Sequence, residues 1–66
     1  MIVSNNVYEL RSKKKITQED LAKAVGVTRQ TIIAIEKGNY TPSVMLALQI
    51  AEYFKTTVDK VFFLTS

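Results

Sequence analysis

Apolar and polar positions alternate along this chain with the 3.6-residue period of helices, interrupted at short intervals by residues that start or stop them. Met1 to Val3 is apolar and β-prone, which predicts a short strand. Asn5 or Asn6 then caps a first helix running to about Lys14, with Val7, Leu10 and Lys14 on one face. Thr17 followed three residues later by Asp20 is a capping-box variant that opens a second helix. Its inner face is Leu21, Ala22 and Val25, and Gly26 ends it. Thr28 caps a third helix after only Gly26 and Val27, so the two short helices must cross steeply. Gly38 and Asn39 close the third helix, and Thr41-Pro42-Ser43 marks the next boundary.

Ser43 caps a fourth helix running to about Phe54, with Val44, Ala47, Ile50, Ala51 and Phe54 expected on the core face. Leu46 and Tyr53 fall outside that face and form a second apolar stripe. Thr57 caps a last turn through about Val61, and Phe62-Phe63-Leu64 reads as a strand, with Phe62 and Leu64 inward and Phe63 outward. The expected fold is an all-α bundle of about five helices containing a helix-turn-helix. The two β-prone ends are able to pair as a small antiparallel sheet.

With 66 residues the chain makes one domain, 1–66, with the helix-turn-helix at 17–37. A domain this small buries little of its surface, and it holds no cysteine or histidine to supply a disulfide or a metal staple. A hydrophobic content of 47% is high for such a chain and predicts apolar residues buried against a second copy. The segment 44–66 is read as the dimerisation part, with Leu46, Tyr53, Val58, Val61 and Phe63 at the interface. No apolar run approaches the length of a membrane span and no signal peptide is visible, which suggests a cytoplasmic protein without membrane contact.

Charge is distributed unevenly. Residues 1–42 hold seven basic side chains against four acidic ones, whereas 43–66 hold two of each. The whole excess of +3 therefore lies in the N-terminal part, where it attracts polyanions. Lys13 to Lys15 also suit the negative end of the first helix.

The outer face of the third helix carries Arg29, Gln30, Thr31, Ile33, Ala34 and Lys37. Arginine pairs bidentately with guanine and glutamine with adenine, and small apolar groups meet thymine methyls. Free N–H groups at the start of the second helix, with Thr17 and Gln18, make an anion site. Thr28, Asn39 and Tyr40 add neutral donors for phosphates. Glu36 stands out as an acid beside the core face of this same helix.

The stretch ITQEDLAKAVGVTRQTIIAIEKGNYTPSVMLALQIAEYF resembles the helix-turn-helix of the Cro/C1 repressor family, also called the Xre family. The specific parts are Thr17-Gln18-Glu19, Leu21-Ala22, Gly26-Val27, the spacing Ile32, Ile35-Glu36 with Gly38, and Pro42-Ser43. The resemblance implies a lambda repressor-like fold with the third helix as recognition helix in the major groove of double-stranded DNA. It implies a phosphate contact for Gln18, and base or backbone contacts for Thr28, Arg29, Gln30, Thr31 and Ile33 or Ala34. It also implies that Arg11 pairs with Glu36. The short length and β-prone ends resemble a standalone subgroup, the small cytolysin regulators of Gram-positive bacteria, in which the chain ends pair and the protein is a homodimer. More polar residues are common in the family at the positions of Ile33 and Ala34.

These features predict a transcription regulator acting as a repressor, a homodimer on a palindromic operator. No cofactor, metal or small-molecule ligand is expected, and a regulatory partner protein is a further expectation. An enzyme is disfavoured by the absence of histidine, cysteine and a glycine-rich phosphate loop. The rival reading is a protein-interaction module, such as an antitoxin or bridging factor on the same fold. That role would not require Arg29 and Gln30 on the outer face.

Overall fold

The computed structural model describes residues 1–66. It runs β1 (Ile2–Asn5), α1 (Val7–Lys14), α2 (Gln18–Val25), α3 (Arg29–Glu36), α4 (Val44–Tyr53), α5 (Val58–Val61) and β2 (Phe62–Thr65). Five helices and a two-stranded antiparallel sheet thus form in the expected order. The strands pair Ile2 with Thr65, Val3 with Leu64, Ser4 with Phe63 and Asn5 with Phe62.

Helix starts follow local chemistry. Thr17 accepts a hydrogen bond from the Asp20 N–H at 3.0 Å, and the Asp20 carboxylate accepts one from the Thr17 N–H at 3.0 Å. The shorter acid therefore closes a full capping box. Thr28 and Ser43 accept from the N–H groups of Thr31 and Leu46 in the same way. Asn6 occupies the cap position of α1 but bonds elsewhere; its side chain donates to the Lys60 carbonyl. The Asn5 side chain takes over, accepting from the Val7 N–H at 3.1 Å. Thr57 precedes α5 without a side-chain cap bond to the helix.

The first four helices end by one device, a left-handed residue followed by a bond across six residues. At α2 this residue is Gly26, with Val27 donating to the Ala22 carbonyl at 3.0 Å. At α3 it is Gly38, with Asn39 donating to Ala34 at 2.9 Å. At α1 and α4 the same position holds Lys15 and Lys55, with φ of 58° and 57°. Ile16 donates to Arg11 and Thr56 to Ala51. A lysine does not advertise a left-handed cap, so these two stops are visible only in the folded backbone.

One apolar cluster holds the elements together. Val7, Leu21, Ile32, Ile50 and Val61 are fully buried, and Ile35 nearly so. Ala22, Val25, Leu46, Ala51 and Phe54 complete the cluster. The core face of α4 differs from expectation. Leu46 lies inside with Ala47, Ile50, Ala51 and Phe54, whereas Val44, the first residue of the helix, is 77% exposed. At ~100° per residue, positions 46, 47, 50, 51 and 54 cover a continuous arc of about 140°. Val44 lies at the edge of that arc and at the end of the helix, where the bundle does not cover it.

The C-terminal strand also differs in part. Phe62 is half-buried and Phe63 is turned outward, but Leu64 is exposed with its pair Val3. Of β2, only Phe62 packs against the core cluster. The chain ends are nevertheless anchored. The Asn6 N–H donates to the Val61 carbonyl, the Asn5 amide donates to the Ile35 carbonyl, and the Ser4 and Thr65 hydroxyls bond at 2.8 Å.

Thr17→Ala should lower stability by about 1 kcal/mol, the usual cost of a lost threonine cap. Hydrogen bonds from the Thr17 backbone and side chain hold the Asp20 carboxyl below the ordinary carboxylate range. A depressed folded-state pKa stabilises the fold above about pH 4 and loses that contribution as pH falls through the folded value. Asp20→Asn should therefore flatten the acid limb of a urea-denaturation pH profile while leaving its shape near neutrality unchanged. An unaltered acid limb would contradict the capping-box geometry.

Candidate nucleic-acid interface

The second and third helices meet through a three-residue connection, Gly26-Val27-Thr28, with no residue to spare. The left-handed Gly26 reverses the chain, Val27 packs against the core, and Thr28 immediately starts α3. Leu21, Ala22 and Val25 of α2 face Ile32 and Ile35 of α3 within the same cluster. The crossing is therefore set by packing on one side and by two caps at the turn.

Beneath α3, the Glu36 carboxylate gathers three donors from two other helices. Arg11 Nε donates to Oε2 at 2.7 Å and Arg11 Nη2 to Oε1 at 3.1 Å, a bidentate pair. Gln18 Nε2 also donates to Oε1 at 3.1 Å. Arg11 spends its remaining nitrogen on the Ile16 carbonyl at 3.0 Å. The Arg11 and Glu36 side chains are 12% and 9% exposed, so the pair is largely withdrawn from water. The hydrogen bond to Glu36 raises the Arg11 guanidinium above its ordinary pKa, against an opposing effect of burial. Glu36 is thus a neutralised anchor, and it leaves the outer face of its helix without an unpaired acid.

That outer face is open. Arg29, Gln30 and Lys37 are exposed, Thr31 is half-exposed at its flank, and Asn39 and Tyr40 lie exposed just beyond the helix. Ile33 and Ala34 are half-buried, so Ile33 is less of a surface anomaly than its neighbours in the sequence suggest. Thr17 and Thr28 are exposed, each engaged in capping. Gln18 is half-buried because its amide is turned onto Glu36. That bond uses one of the two hydrogens on the amide nitrogen, and the other is free to donate outward.

Sequence reasoning missed Lys15 as part of this surface. A shallow cleft at the start of α2 is lined by Lys15, Thr17, Gln18 and Glu19, with Arg11 behind and Arg29 across from α3. The signal was present as the Lys13–Lys15 run, but its reading as a solvated helix end gave Lys15 no direction. The left-handed backbone at Lys15 turns the chain there and brings it to the cleft.

The residues expected at a dimer interface are scattered. Leu46 and Val61 belong to the buried core and have no surface to offer a second copy. Their apolar character is spent on closing α4 and α5 over the bundle. Tyr53 is half-buried, edge-on to Phe54 with ring centroids 5.2 Å apart and with the Lys14 ammonium 5.4 Å from its ring. Val58 and Phe63 do reach the surface.

Short crossed helices, a neutralised anchor and an exposed polar face define a helix-turn-helix DNA-binding protein. Residues 7–61 match the Helix-turn-helix family. The chain belongs to this Cro/C1-type (Xre) family of transcription regulators. It is 50% identical over 60 residues to an HTH-type transcriptional regulator of Methanocaldococcus jannaschii, covering 91% of each chain. A Bacillus subtilis HTH-type transcriptional regulator is likewise 50% identical over 62 residues, covering 94% of each. Among solved structures, the restriction-modification controller protein C.AhdI from Aeromonas hydrophila superposes with a TM-score of 0.76 at 28% identity, over 82% of each chain. The protein is a transcription regulator with a helix-turn-helix for double-stranded DNA. No helix is long and apolar enough to cross a membrane.

Removing one member of a largely buried ion pair leaves the other uncompensated, at a cost of about 3 kcal/mol. Glu36→Ala should show that loss in urea denaturation, and Arg11→Ala a similar one. The double variant should lose clearly less than the two single losses combined, because each removes the same pair. Additive losses would mean that the pair does not organise the three helices.

Proposed function

We propose that this chain is a sequence-specific repressor that binds a palindromic operator as a homodimer, with α3 in the major groove. The observation that carries this reading is the outer face of α3. Exposed Arg29 and Gln30 stand at its N-terminal end, where a recognition helix meets base edges, and its acid is turned away and paired. Arg29 suits guanine, Gln30 suits adenine, and the half-buried Ile33 and Ala34 suit a thymine methyl or sugar.

Phosphate contacts surround this reading set. Gln18, with its second amide hydrogen, and the N–H groups at the start of α2 face one backbone segment. Thr17, Thr28 and Thr31 supply hydroxyls, and Asn39, Tyr40 and Lys37 lie at the other end of α3. These contacts set register rather than sequence. One recognition helix reads only a few base pairs. Two copies related by a twofold axis would read half-sites about 34 Å apart. Repression follows if the operator overlaps a promoter and the bound pair blocks polymerase. The segment 44–66, uncharged overall, serves self-association in this scheme.

Footprinting on the DNA flanking its own gene should show a protected inverted repeat, and a transcription assay on that template should show loss of transcript. Protection without symmetry would overturn the homodimer reading, and protection with increased transcript would overturn repression. Arg29→Ala should weaken operator binding by roughly 1–3 kcal/mol and relax preference at one base pair of each half-site. An equal loss on every sequence would make Arg29 a phosphate contact. Lys15→Ala, in the cleft beside Arg29, should weaken binding evenly across sequences and flatten its salt dependence.

A further inference from the structure

One side chain of the strand pair reaches the end of α3. Asn5, the last residue of β1, opposes Phe62 in the sheet and is half-buried. Its amide nitrogen donates to the Ile35 carbonyl at 3.0 Å, and its amide oxygen accepts from the Val7 N–H at 3.1 Å. The Ile35 carbonyl lies in the last turn of α3, among the groups that a helix leaves without a regular partner. It also accepts the Gly38 N–H at 3.0 Å. The left-handed Gly38 then leads into residues 39–43, which belong to no helix or strand. No sheet ladder supports that segment, so the directions of Lys37, Asn39 and Tyr40 depend on how the last turn of α3 is held. Ser4, Asn5, Lys37, Gly38 and Thr41 line one cleft between β1 and this segment.

We propose that Asn5 is a positioning residue of the DNA interface. By tethering the Ile35 carbonyl to β1 it fixes the last turn of α3, and through it the phosphate contacts of Lys37, Asn39 and Tyr40. The inference rests on the reading of α3 as the groove helix and adds a support that reading does not contain. Glu36, with Arg11 and Gln18, holds α3 to α1 and α2, whereas Asn5 holds it to the sheet. The small sheet thereby does more than close the chain ends.

The residue type fits the task. An amide donates and accepts at once, so Asn5 serves the start of α1 and the end of α3 together. Aspartate would still accept from Val7 but would turn a carboxylate onto the Ile35 carbonyl. Serine can make the same local turn through its hydroxyl, yet it lacks the amide hydrogen that reaches α3.

Two variants separate the two bonds. Asn5→Ser keeps an acceptor for the Val7 N–H and loses the amide donor to Ile35, and Asn5→Ala loses both. Urea denaturation of each variant gives the folded fraction to which affinities are referred. Amide hydrogen exchange reads the tether without DNA. In Asn5→Ser the Gly38 and Asn39 amides should exchange roughly threefold to tenfold faster, well beyond any change at the buried Ile50 amide of α4. Equal changes at all three would make Asn5 a general stabiliser and overturn the proposal. On mixed-sequence duplex DNA at low salt, where phosphate contacts dominate, both variants should bind roughly threefold to tenfold more weakly and with a flatter salt dependence. Lys37→Ala should cost the wild type more than it costs Asn5→Ser, whereas Lys15→Ala, at the start of α2, should cost both alike. Wild-type binding by Asn5→Ser beside a loss in Asn5→Ala would assign the effect to α1 and overturn the proposal. Equal costs of Lys37→Ala in both backgrounds, zero included, would overturn it too. A wild type that binds DNA without any response to the Asn5 variants overturns this inference alone. A wild type that binds no duplex overturns the proposed function, and the role of Asn5 with it.

Discussion

A carboxylate on the second helix of a helix-turn-helix is the constraint around which this small protein is arranged. Glu36 sits near the end of α3, where an unpaired negative charge would be costly to bury and would oppose phosphate. Two nitrogens of Arg11 and one of Gln18 surround it. The three side chains come from three helices, so the carboxylate ties α1 and α2 to α3 at one point. The outer face of α3 can then be polar and exposed without losing its position. The third arginine bond, to the Ile16 carbonyl, satisfies a backbone group where α1 turns into α2.

Around that knot the fold is stabilised by economical means. A chain of 66 residues with 12 buried ones has a thin core. Caps at both ends of the helices therefore matter more than they would in a large domain. Three helix starts have a serine or threonine cap, and four helix ends use a left-handed residue with a bond back across the last turn. The strand pair and the asparagine side chains at 5 and 6 hold the chain ends to α3 and α5. Core and surface are divided accordingly: α2 and α3 point chemistry outward on one side and pack their apolar residues on the other.

Element order and type were legible in the sequence because their signals are local. Thr17 with Asp20, Thr28 and Ser43 announce helix starts through hydroxyls three residues ahead of an N–H. Gly26 and Gly38 announce stops through their conformational freedom. The short connection between α2 and α3 leaves a helix-turn-helix as the natural packing of two amphipathic helices, and the expected exposure of Arg29 and Gln30 follows from the same periodicity. The lysine stops at 15 and 55 were not legible, since nothing in a lysine signals a left-handed backbone.

What the sequence by itself determined is the set of helices, their caps, the basic N-terminal half and the polar composition of the α3 outer face. These depend on neighbours a few residues apart. Tertiary structure alone decided which apolar residues of α4 face inward. The period admits both a face with Val44 and one with Leu46, and only the position of α2 and α5 chooses between them. It also decided that Gln18 turns to Glu36, that Leu64 lies past the end of the core, and that Lys15 joins the cleft beside Arg29. Each of these depends on where a second segment ends in space, which the order of residues along one segment does not contain. The Cro/C1-type helix-turn-helix was written locally; the surface it leaves for its partners was written by packing.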